Sequence, residues 1–225
     1  MSVTIWHDEK HPFGWAVGVT ASGEGAALRL LHPREQEATR TMAPLRSKSW
    51  VLGRLAMQHA LVRVGVTNTA VLANDRGAPI LPSGLRGSIS HKDERAVALV
   101  VNALDAHVGI DLEVFSRRRA DISRHALTED EMAADASLGD NERMERLLLR
   151  FSLKEAIYKA IDPFLQRYVA FKEVRVDPLA GGATKIDLRL VEPNVPVRVE
   201  AHWLQRNDIC ISTARAHIET SSSRT

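Results

Sequence analysis

Two short runs carry residue types that could do chemistry together. In Val108-Gly-Ile-Asp-Leu-Glu-Val114, apolar residues alternate with Gly109, Asp111 and Glu113. In an extended strand this alternation sends both carboxylates to one side, about 7 Å apart at their backbones. Such a pair repels itself and favours protonation unless a cation lies nearby. In the run Arg150-Phe-Ser-Leu-Lys-Glu-Ala-Ile-Tyr-Lys-Ala-Ile161, a helical wheel sets Ser152, Glu155 and Lys159 along one edge. Glu155 joining Asp111 and Glu113 would give an all-oxygen donor set suited to Mg²⁺ rather than to zinc. Lys159, one turn on, would offset charge developing on phosphate oxygens, so the combination points to metal-assisted phosphate chemistry. The same residues also have a plainer reading. An Asp-x-Glu strand is common on polar sheet faces, and Glu155 to Lys159 is a favourable i,i+4 helix pair worth about 0.2–0.5 kcal/mol.

The elements that must position these groups follow from periodicity. Leu149, Leu153, Ala156, Ile157 and Ala160 form one apolar arc, so residues 142–161 are expected as a core-facing helix closed by Pro163. Upstream, residues 3–6 and 15–20 read as strands and 33–42 as a helix. A stronger helix spans 45–64 and stops at Gly65. Arg46 and Lys48 stand in its opening turn and Arg54 further on. Cations in a first turn oppose the helix dipole, so they are either solvated or present for an anion. Residues 71–73 suggest a strand, 74–84 are dense in turn formers, and 96–101 form an apolar strand. After a connector at 102–106, the strand 108–114 opens a second half with helices at 123–127 and 128–136, the latter with a capping box in Thr128 and Glu131. Strands at 174–176, 185–191, 197–204 and 209–213 complete it. Arg117, Arg118 and Arg119 read as a solvated turn.

Each half therefore combines strands with one dominant helix, an α+β organisation. The expected division is an N-terminal lobe at 1–104, a C-terminal lobe at 105–218 and a flexible tail at 219–225. Hydrophobic content of 44% and charged content of 26% suit a folded globular chain. A net charge of +2 gives little grip on a polynucleotide, so no nucleic-acid partner is expected. Cys210 is the sole cysteine, which excludes a disulfide framework and a thiolate metal cluster. No run has signal-peptide pattern or membrane-spanning length, and a cytoplasmic location without membrane attachment is the expectation.

Three motifs make the sequence recognisable. Gly109-Ile-Asp-Leu-Glu113 and Phe151-Ser-Leu-Lys-Glu-Ala-Ile-Tyr-Lys159 resemble, in order and separation, the two signature motifs of the 4'-phosphopantetheinyl transferases. Gly87-Ser-Ile-Ser-His91 resembles the Ser-His motif that precedes them in that family. Gly53-Arg54 and the turn from Arg76 to Gly84 resemble the enterobactin-synthetase type of the larger, surfactin-type class. The resemblance implies a monomer of two similar-sized α/β lobes in a pseudo-twofold arrangement, with coenzyme A in the cleft between them. It implies transfer of the phosphopantetheine arm to a serine of an apo carrier protein (acyl, peptidyl or aryl), as in nonribosomal peptide or polyketide synthesis, with release of adenosine 3',5'-bisphosphate.

Carried over by position, Asp111, Glu113 and Glu155 look like the Mg²⁺ site, and Glu155 the general base. Lys159 looks like the group facing the pyrophosphate. Arg46, Arg54, Ser90 and His91 look like contacts to the nucleotide end of coenzyme A, and Lys154 like a further phosphate contact. Where many relatives have a Gly-Lys-Pro turn, this chain has Ala78, with Arg76 as the substitute. Residues 117–125 and 167–171 are the candidate carrier-docking segments. A metal-dependent phosphodiesterase or nuclease is the alternative in another reaction class, although there the Glu and Lys stand two apart on a strand. A non-catalytic nucleotide-binding module is the third reading.

Overall fold

In the computed structural model, residues 3–22, 24–116, 121–191 and 196–219 are described. The first hairpin, β1 (Val3–His11) and β2 (Gly14–Ala21), turns at Pro12 and Phe13. Three helices follow: α1 (Glu24–Arg29), α2 (Pro33–Thr39) and α3 (Pro44–Arg63). Pro44 suits the first turn of α3 because its missing N–H would have no helical partner there. Gly65, at φ 82°, follows its last turn and donates its N–H to Val62. Strands β3 (Leu85–Lys92) and β4 (Arg95–Asn102) complete an antiparallel sheet of order β1-β2-β4-β3. The face of α3 carrying Val51, Leu52, Leu55, Ala56 and Ala60 packs on this sheet, against Val17, Val19, Ala96, Ala98 and Val100.

The second half repeats the plan. Strand β5 (Ala106–Val114) leads to short helices α4 (Ser123–Ala126) and α5 (Glu129–Ala134) and then to α6 (Asp140–Leu165). A hairpin, β6 (Val174–Pro178) with β7 (Thr184–Leu188), precedes β8 (Val197–Arg206) and β9 (Ile209–Ile218). The sheet order is β5-β9-β8, and α6 lies on it through Leu153, Ala156, Ile157, Ala160 and Ile161. Between the halves, Ala16, Val97 and Leu99 from the first sheet meet Val108, Ile110, Leu112 and Ile211 from the second. Two α+β lobes thus share an apolar seam, and the alternation of β5 assigns its faces. Val108, Ile110 and Leu112 enter the seam while the intervening residues turn toward α6.

Several local expectations are corrected. Helix α6 does not close at Pro163. The proline falls in the last turn, where Phe164 and Leu165 still pack on the core and Gln166 ends the helix with a left-handed backbone at φ 51°. Residues 71–73 form only a bridge, Ala73 to Pro79, rather than a strand. Helix α1 was not legible beside Gly23 and Gly25; burial of Ala27 and Leu31 in the first core holds that segment. The basic run Arg117 to Arg119 lies outside the described residues, as does the tail from Thr220 onward. No helix among the described residues is long and apolar enough to cross a membrane.

Candidate active site

The site is built where α6 crosses β5. A Cβ added at Gly109 would run into the carbonyl of Ala156 and the backbone of Ala160, so the strand and helix touch at backbone distance. Only glycine permits this approach. It brings Lys159 within reach of the strand: Nζ donates to the Ile110 carbonyl at 2.9 Å and to Asp111 Oδ1 at 2.9 Å. The plain i,i+4 reading is therefore incomplete: Lys159 hydrogen-bonds to β5 and acts on Glu155 through its charge.

The N-terminal lobe contributes through β3, which runs beside β5. Ser88 Oγ accepts from the Ile110 N–H at 3.2 Å, and Ser90 Oγ accepts from the Leu112 N–H at 3.3 Å. The Ser90 hydroxyl donates to Asp111 Oδ1 at 2.9 Å. Two residues on, Lys92 pairs with Glu113 at 3.1 Å. Alternate side chains of one lobe thus address successive residues of the other. Ser90 is buried and its single proton is committed to Asp111.

Charge is concentrated in little solvent. Asp111 is 6% exposed and Glu113 3%. Burial, with the neighbouring Asp111, pushes the Glu113 carboxyl up to about 8. Burial and then Asp111 also raise Glu155, with Lys159 opposing. The three carboxylates therefore feel one another. Asp111 Oδ2 is buried without a hydrogen-bond partner. Among the described residues no group of three or more His, Cys, Asp or Glu side chains is placed so as to hold a metal ion. The donor chemistry nonetheless fits a hard divalent cation: all oxygen, mutually repelling, with one buried carboxylate oxygen uncommitted.

The cationic residues singled out in the sequence divide. Lys154 is a correction. It is 0% exposed, and its Nζ donates to Glu131 at 2.7 Å, the Ala126 carbonyl at 2.8 Å and the Phe171 carbonyl at 3.0 Å. It faces away from Glu155 and ties α6 to α5, so it reaches no phosphate. Arg54 is buried too. Its Nε donates to the Val71 carbonyl at 2.6 Å, its guanidinium stacks 4.3 Å over Trp50, and burial pulls it down to about 10. Nη2 of Arg54 is left buried without a hydrogen-bond partner. Arg46 is exposed in the first turn of α3. His91 sits at the outer end of β3, its imidazole held below the usual range by burial and by the Lys159 ammonium.

Between the lobes lies a cleft of about 750 Å³, walled by the turn at 74–79, the start of β3, β5 and the end of α6, with Tyr158 and Lys159 on its side. Asn74 braces the turn by accepting from the Arg76 and Ala78 N–H groups. Arg76 does not extend into free space in place of a lysine at Ala78. Its guanidinium grips Asp162 of α6, Nε at 2.8 Å, and so bridges the two lobes at this cleft. The sequence reading missed Lys92 and Asp162 as site neighbours; for Lys92 the signal was the spacing 88, 90, 92 on one strand.

Residues 34–101 match the model of the 4'-phosphopantetheinyl transferase N-terminal domain, and residues 107–214 that of the 4'-phosphopantetheinyl transferase superfamily. The chain is 30% identical over 203 residues to enterobactin synthase component D of Salmonella typhimurium, covering 83% of this chain and 79% of that protein. It is 32% identical over 163 residues to the 4'-phosphopantetheinyl transferase Svp of Streptomyces mobaraensis, covering 70% of this chain and 65% of that one. A solved structure that it resembles, the Chronobacterium ammoniagenes ACPS-CoA complex, aligns with a TM-score of 0.41 at 19% identity, over 51% of this chain and 98% of that one. With both lobes matched by that family's models and the carboxylate strand, lysine helix and Ser-His strand meeting at one place, the chain belongs to the 4'-phosphopantetheinyl transferases.

Proposed function

We propose that this enzyme moves the 4'-phosphopantetheine arm of coenzyme A onto a serine of an apo carrier protein, using Asp111, Glu113 and Glu155 to hold Mg²⁺. The observation that carries this reading is the trio of carboxylates that perturb one another around Lys159, itself a lining residue of the interlobe cleft. Bound Mg²⁺ would neutralise pyrophosphate oxygens and make the bridging oxygen a better leaving group. The chain's own residues do the rest. Glu155, raised by burial, takes the proton from the carrier serine hydroxyl. The serine oxygen bonds to the phosphorus bearing pantetheine while the bond from that phosphorus to the bridging oxygen breaks. The electron pair leaves with adenosine 3',5'-bisphosphate. Lys159, anchored by Asp111 and the Ile110 carbonyl, faces that departing charge from a fixed position.

Arg46, Arg54 and His91 are the proposed contacts to the nucleotide end, with the pantetheine arm in the cleft beside Tyr158. On the carrier side, the described part of the docking candidates offers Tyr168, 75% exposed beside Arg167, which is itself tied to Glu173 at 2.6 Å. The test is Glu155→Gln, which keeps size and removes the base. Transfer is expected to fall by about 10²–10⁴-fold with melting unchanged, and undiminished turnover would remove Glu155 from the mechanism.

A further inference from the structure

We infer that Ser90 is a positioning residue for Asp111, acting across the lobe boundary to present Oδ2 of that carboxylate to the site; this rests on the Mg²⁺ reading above. A serine hydroxyl has one proton and two lone pairs. The Leu112 N–H occupies a lone pair of Ser90 at 3.3 Å, and the proton goes to Asp111 Oδ1 at 2.9 Å. Lys159 Nζ, also at 2.9 Å, lands on the same oxygen. Both donors therefore hold Oδ1 from two directions, one from β3 and one from α6, and the carboxylate plane is set. Oδ2 remains, buried and without a hydrogen-bond partner, in a residue only 6% exposed. A hydroxyl that holds a metal-binding carboxylate in one orientation in this way contributes much of the metal affinity.

Strand β3 supplies an internal control. Ser88 makes the same tie to the backbone of β5, through the Ile110 N–H at 3.2 Å, but touches no carboxylate. A purely structural role of the serines in docking the lobes would make the two positions equivalent. A positioning role makes them differ.

The experiment compares the wild type, Ser90→Ala, Ser88→Ala and Ser90→Thr by thermal melting and by calorimetric titration of Mg²⁺ into the protein with coenzyme A present. Both alanine variants strand one backbone N–H and are expected to lose stability, Ser90→Ala somewhat more because Asp111 also loses a donor. Only Ser90→Ala is expected to weaken Mg²⁺ binding, on the order of 10- to 100-fold. Ser90→Thr, which keeps a hydroxyl, recovers most of the loss. Unchanged Mg²⁺ affinity in Ser90→Ala, or an equal loss in Ser88→Ala, overturns the proposal. If the alanine variant does not fold, Ser90→Cys keeps the volume and weakens the donor. It is expected to bind Mg²⁺ more weakly, and wild-type affinity there overturns the proposal as well. A wild type that binds coenzyme A but no Mg²⁺ removes the metal reading itself, a result distinct from equal binding by wild type and Ser90→Ala.

Discussion

Lys154→Met separates a structural lysine from a phosphate contact. The ammonium of Lys154 lies in the protein interior with Glu131 at 2.7 Å and two backbone carbonyls. Methionine keeps the stem and deletes the charge. Glu131 is then left 1% exposed with only the Thr128 and Val176 N–H groups as donors, and the Ala126 and Phe171 carbonyls lose a partner. Removing one member of a buried pair costs about 3–5 kcal/mol, because the other charge stays buried without compensation. In a chain of this size that is a fall in melting temperature of roughly 6–20 °C. Pairing the change with Glu131→Gln removes the stranded charge and should return part of the loss. The assay is thermal melting with calorimetric binding of coenzyme A below the transition. The expected outcome is lowered melting with coenzyme A affinity kept. A variant that melts like the wild type but no longer binds coenzyme A would refute the reasoning and restore Lys154 as a phosphate ligand.

Other consequences can be checked together. His7 and His11 on β1 meet through their Nε2 atoms at 2.9 Å, both buried, with Arg206 and His202 of β8 and the carboxylates Asp8 and Glu9 around them. Burial pulls His11 to about 4 and also lowers His7, so the unfolded chain binds more protons below about pH 6.5. Stability is therefore full above that pH and is lost as pH falls toward 4, by roughly 3 kcal/mol at most from His11. Urea titrations at pH 7 and pH 5 should differ by less in His11→Asn than in the wild type. Gly109→Ala inserts a methyl group into the Ala156 carbonyl and must push α6 off β5, costing at least about 1–3 kcal/mol. Soluble yield and melting report the stability loss, and transfer should fall further than stability alone explains, because Lys159 moves with the helix.

The parts of the site that could be read in the sequence were those with a strict period. Alternation in β5 separates Val108, Ile110 and Leu112 from Asp111 and Glu113, and the helical arc of α6 leaves Glu155 and Lys159 at its edge. The partners of these groups were not legible, because they come from elements distant in the chain. Lys159 reads as a mate for Glu155 until Gly109 admits the helix close enough to the strand for Asp111 to take it. The tie from Ser90 to Asp111 is invisible until β3 is seen lying along β5, and β3 itself is obscured in the sequence by Gly87, a weak strand former. Lys154 has the composition of a surface lysine, and only the packing of α5 and Phe171 against α6 encloses it. Arg54 is buried but only partly satisfied: Trp50 covers its face and the Val71 carbonyl takes its Nε, while Nη2 has no hydrogen-bond partner.

Transfer of a pantetheine arm at the carboxylate cluster can be read out by intact-mass spectrometry of an apo carrier. The carrier is incubated with coenzyme A, Mg²⁺ and either the wild type or Glu155→Gln, across peptidyl, aryl and acyl carriers. A single phosphopantetheine adduct is expected on at least one carrier with the wild type, abolished by chelating the metal and nearly absent with Glu155→Gln. Adduct formation that persists with the metal chelated, or no adduct on any carrier class from folded wild-type protein, would contradict it.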